Sequence, residues 1–212
     1  VLELPVTTVM RGSASGSGSG TSSGDSSGAA SGTPASTVRK VVNFVAFQCG
    51  WLACVVGAAN GYAWQGVIAA VLIVAAHVVT AARPAVEARL VALALLLGVI
   101  WEWSLLATGV LGYAAGAGVA GLPPLWILAL WPLFASTLNT SLAWLQGRWL
   151  LAAILGAVSG PAAYWAGARL GALSFTDPLV FVAALAVGWA ILTPALLAIA
   201  ARLAAAPRVE RS

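Results

Sequence analysis

From Val41 onward the chain alternates long apolar runs with short breaks that are polar or rich in glycine and proline. Six runs can be laid out: Val41–Ala59, Gln65–Ala82, Leu90–Gly112, Leu125–Leu145, Trp149–Leu170 and Leu179–Leu203. Each is near the ~20 residues that a helix needs to cross ~30 Å of hydrocarbon. None alternates apolar and polar residues as a barrel strand would, so helices are expected throughout. The breaks are NGYAW after the first run, Arg83-Pro84, the hinge AAGAGVAGLPP, Gln146-Gly147-Arg148 and SFTDP. The pattern predicts an all-α fold, a polytopic membrane bundle of six transmembrane helices over residues 40–204, with a short tail at 205–212.

Ahead of the first run the pattern fails. Residues 11–39 are dominated by serine and glycine, with no apolar periodicity, and are expected to be disordered coil. Val1–Met10 lacks the basic start and apolar stretch of a signal peptide. Because the only methionine is Met10 and the segment VRKVVNF opens on Val38, this leader is hypothesised to lie upstream of a native start at Val38. A mass for the natural protein that includes the leader would refute that.

Composition agrees with the pattern: 61% of residues are hydrophobic, 8% are charged and mean hydropathy is +0.97. The net charge of +4 does not point to nucleic acid, since the basic residues sit singly at the ends of apolar runs. They read as topology signals. Arg39, Lys40, Arg83, Arg89, Arg148, Arg202, Arg208 and Arg211 fall on one side of the six-run alternation, and Arg169 falls alone on the other. The excess places both termini in the cytoplasm of an inner (cytoplasmic) membrane. Every loop is short, so any chemistry must sit in or at the edge of the bilayer.

Intramembrane polar groups are therefore the candidates, because each costs free energy unless it finds a partner. Glu102 stands in the third run, and an ionised acid at mid-bilayer costs about 2.5–3.5 kcal/mol. It is either a proton-carrying or ligand-binding carboxyl, or a neutral acid bonded to a neighbouring helix. His77 in the second run is a possible proton partner, or an interhelical hydrogen bond. Asn43 and Gln48 in the first run, and Asn139 within STLNTS of the fourth, complete an expected polar interior. Arg169, with Tyr164, forms a candidate outer-face site for an anion or headgroup; the plainer alternative is snorkelling, or pairing with Asp177.

The remaining features are ambiguous. Gly156 with Gly160, and Gly167 with Gly171, have small-xxx-small spacing that permits close helix packing. Pro132, Pro161 and Pro194 are expected to break three successive helices near their middles, which suits a cavity but also plain packing. Trp64, Trp126 and Trp149 suit the interfacial belts, while Trp51, Trp101, Trp103, Trp131, Trp165 and Trp189 fall deeper. Cys49 and Cys54 lie about 7.5 Å apart along one helix, too far for a disulfide. A single histidine leaves no conventional zinc or haem ligand set, so no metal and no cofactor are expected. No nucleotide-binding glycine loop, GxSxG elbow or acidic metal cluster is present.

Three stretches carry a resemblance: NFVAFQCGWLACVVGAA at 43–59, PLWILALWPLFASTLNTSLAWL at 124–145 and GAVSGPAAYWAGARLGA at 156–172. NFxxFQxGWxAC and SGPxxYWAGARLGA combine rare residues at fixed spacing. In them the chain resembles the DUF2878 family of small bacterial integral-membrane proteins, over roughly Val41–Leu203. The family has no established activity, so the resemblance implies membrane location. It also implies a lesser reading, lipid modification beside fatty-acid-modifying enzymes of the cyclopropane-synthase type. The favoured expectation is binding or passage of a small solute or lipid through the polar interior. The alternatives are a membrane-embedded enzyme using Glu102 or His77 as acid or base, and a structural subunit without chemistry. Expected partners are the bilayer and either a second copy or another membrane protein.

Overall fold

The computed structural model describes residues 34–113 and 121–206. Six α-helices account for most of them: α1 (Pro34–Ala59), α2 (Ala63–Thr80), α3 (Pro84–Ala107), α4 (Leu125–Leu138), α5 (Trp149–Arg169) and α6 (Pro178–Ala205). All but α4 are long and apolar enough to cross a membrane. The expectations for the leader through residue 33, and for the tail beyond 206, lie outside the described residues. Helix α1 nevertheless takes in residues 34–39, which were expected to be coil, because Pro34 suits a helix start and no breaker follows it.

The helices assemble as close-packed pairs. Between α1 and α2 the contact is backbone on backbone: a Cβ added at Gly66 would meet the Ala53 carbonyl oxygen at 2.6 Å. The chain reverses there through Gly61 at φ 81°, a left-handed conformation that glycine adopts at little cost. Helix α4 packs against α1, α2 and α3, and α5 pairs with α6. Gly156 and Gly160 of α5 seat Trp189 and Thr193 of α6, so this glycine face is used within the chain. The second glycine pair does not act alike, since Gly171 lies beyond the end of α5 with φ 89°.

Three expectations change. The fourth run stops being α-helical at Leu138 rather than Leu145. Ser136 and Thr137 donate their hydroxyls to the Leu133 and Phe134 carbonyls at 2.7 and 2.6 Å, and the backbone then turns into a short 3-10 segment, Ala143–Leu145. Local hydrogen bonds of this kind compete with helix continuation. At 1.5 Å per residue α4 is about 21 Å long, less than the ~30 Å hydrocarbon core. Second, α4, α5 and α6 run unbroken through Pro132, Pro161 and Pro194, since each proline removes one hydrogen bond and neighbouring helices hold the rest. Third, two short strands are present, β1 (Leu111–Tyr113) and β2 (Leu173–Phe175), antiparallel with Gly112 opposite Ser174. This strand pair ties the end of α3 to the connection between α5 and α6.

At the opposite end of the bundle, Arg83 donates to the carbonyls of Ala204 and Ala206, joining the α2–α3 turn to the end of α6. Asp177 caps α6 by accepting from the Leu179 and Val180 N–H groups at 3.0 and 3.1 Å.

A buried carboxyl and its cavity

Glu102 lies on α3 with no exposed surface. Three donors from three other elements converge on it. The Trp131 indole N–H of α4 donates to Oε1 at 3.1 Å, the Tyr164 hydroxyl of α5 donates to the same oxygen, and the Tyr113 hydroxyl of β1 donates to Oε2 at 2.5 Å. Hydrogen bonds to a charged group contribute about 1.5–3 kcal/mol each, so together they can exceed the about 2.5–3.5 kcal/mol cost of an intramembrane acid. Burial, and then the adjacent Glu102, push the Tyr113 phenol above its ordinary range, so it remains a neutral donor.

Glycines make room for this arrangement. Gly98 precedes Glu102 by one helical turn on the same face of α3, and a Cβ at Gly98 would collide with the Trp131 indole. The indole lies flat over that gap, and its N–H reaches Glu102. Its ring stacks on Trp189 of α6 at 5.3 Å between centroids, and Trp189 in turn lies over Gly160 of α5. Two missing side chains thus admit two stacked indoles across four helices.

Beside Glu102 is a cavity of about 420 Å³ bounded by α1, α3, α4, α5, α6 and β2. Eight of its nineteen lining residues are aromatic, against 8% of the whole chain. Phe44 and Gln48 of α1 and Ser159 of α5 line it and are also exposed. The cavity therefore opens sideways between α1 and α5, at the middle of both helices. Near their other ends these helices converge, where a Cβ on Gly167 would sit 3.9 Å from Val55.

A second polar group lies about 22 Å away along α3, at the 15-residue separation of Glu87 from Glu102. His77 Nε2 is 3.2 Å from Glu87 Oε2, and Asn139 donates to Glu87 Oε1 at 3.0 Å. Gln146 donates to Asn139 at 2.9 Å and to the Leu138 carbonyl at 3.0 Å, which satisfies one of the last carbonyls of α4. Asn43 donates to the Ser136 carbonyl at 3.1 Å and accepts from Ser141 at 2.8 Å. Asn43, His77, Glu87, Asn139 and Gln146 border a separate recess of about 560 Å³ that shares no lining residue with the first.

The expected single polar interior is thus two groups. His77, Asn139 and Asn43 belong to the α2–α3 turn end, Glu102 to the strand-pair end, and Gln48 to the mouth of the Glu102 cavity. The candidate outer-face site of Arg169 with Tyr164 is not assembled, because Tyr164 points inward to Glu102 while Arg169 is exposed at the end of α5. Trp126, expected at an interface, is completely buried in the cavity wall. Sequence reasoning missed Tyr113, Trp131 and Glu87 as partners. The four-residue spacing of Gly98 and Glu102 was the one available hint, a small residue one turn from a buried acid.

Apolar helices of this length packed around a buried carboxyl define a multi-pass membrane protein. A family model described as a protein of unknown function, DUF2878, matches residues 40–195, and the chain belongs to that family. No curated protein and no solved structure matches it.

Proposed function

We propose that the protein is an inner-membrane receptor for an amphiphile, a lipid or lipid-like solute that enters the Glu102 cavity from the bilayer. The carrying observation is the mouth: exposed Phe44, Gln48 and Ser159 open an aromatic cavity between α1 and α5 at mid-helix, where hydrocarbon surrounds the bundle. Sites that hold small molecules are mostly apolar, with a few placed polar groups. Here Glu102 and Tyr164 lie at depth and Gln48 at the rim. Binding is favoured over passage of a polar solute, since the two polar groups line separate recesses.

Ala163 borders the cavity without a hydrogen-bonding role, so Ala163→Trp should fill it. Lipid extracted from wild-type protein purified in detergent should be enriched in one species at near-stoichiometric amount, and Ala163→Trp should lose it while retaining its melting temperature. A bound-lipid profile identical in the two proteins would refute the proposal.

A further inference from the structure

Resting on that reading, we infer that the ligand of the Glu102 cavity is a lipophilic cation, an amine or quaternary ammonium or phosphonium group carried on an apolar body. The inference starts from what lines the cavity. Among the described residues bordering it, Glu102 is the one carboxyl, and there is no lysine, arginine or histidine. An anionic headgroup would find no counter-charge there. A cation meets Trp51, Trp126, Phe134 and Tyr164 among the lining residues, and the faces of aromatic rings attract positive charge.

Glu102 and this aromatic wall act together. Glu102 borders the cavity without exposed surface, and the Trp131 indole and the Tyr164 phenol in the same wall both donate to it. An N–H or O–H bonded to a carboxylate pushes electron density into its ring, making the ring face more negative. The carboxylate's own field adds to this, because charges a few ångströms apart in a low-dielectric interior interact far more strongly than in water.

The test uses two probes of like shape and opposite charge, tetraphenylphosphonium and tetraphenylborate, binding to the full-length protein in neutral-lipid nanodiscs, with empty discs subtracted. Wild type should bind the phosphonium on the order of tenfold or more tightly than the borate. Glu102→Gln should erase most of that preference, and Ala163→Trp should abolish binding of both. Equal affinities, or a preference for the borate, with Ala163→Trp still blocking both, would overturn the cation assignment and leave amphiphile binding intact. Binding of both probes that Ala163→Trp leaves unchanged would defeat the receptor reading as well. A charge preference that survives in Glu102→Gln would place its origin elsewhere and overturn the inference. If Glu102→Gln does not fold, the wild-type comparison of the two probes decides by itself.

Discussion

At the scale of single residues, Glu102 is held by donors rather than by a counter-charge. Trp131 can only donate, and Tyr113 and Tyr164 both point their hydroxyls at the carboxyl. Tyr164→Phe and Tyr113→Phe should each lower stability by about 1–3 kcal/mol, the cost of removing one partner from a buried polar group. The double variant should depart from additivity, since both hydroxyls serve one carboxyl. Denaturant unfolding in mixed micelles measures this, and two silent substitutions would show that the carboxyl does not depend on these phenols.

At the scale of elements, the deciding feature is where glycine lets helices and indoles approach. Gly98 faces the Trp131 ring, and Gly188 of α6 faces the Trp101 ring of α3. A methyl group at Gly98 must displace the indole that reaches Glu102. Gly98→Ala is therefore expected to destabilise the protein by about 1–3 kcal/mol through overpacking. It should also change tryptophan fluorescence, and an unchanged emission spectrum with unchanged stability would contradict this packing. The strand pair matters for the same reason, because β1 rather than any helix delivers Tyr113. The expectation that α4 would reach Leu145 failed on local chemistry: Ser136 and Thr137 near its end bond to the backbone one turn back and compete with continuation of the helix.

At the scale of the whole molecule, the α2–α3 turn and the end of α6 share one end of the bundle, and the strand pair marks the other. The basic residues of the loops concentrate at the first of these ends, so that end is the one expected to face the cytoplasm. In a background lacking Cys49 and Cys54, Tyr62→Cys should react with an impermeant thiol reagent on intact cells, and Ala82→Cys only after permeabilisation. Both positions are exposed in loops at opposite ends. The reverse pattern would invert the topology.

The sequence by itself determined the membrane class, the six apolar runs, the family and the identity of one buried acid. These are properties of composition and hydropathy along a single dimension, and they do not depend on how the helices face one another. Glu102, His77, Asn139, Asn43, Gln48 and Tyr164 could be named for the same reason, as polar groups in apolar surroundings. Which of them meet was decided only by the tertiary structure. Partnership depends on each helix's rotation about its axis and on its depth, and hydropathy encodes neither. That is why Asn139 and His77 both went to Glu87, why Tyr164 turned away from Arg169, and why Glu102 took Trp131 from across a glycine and Tyr113 from a strand.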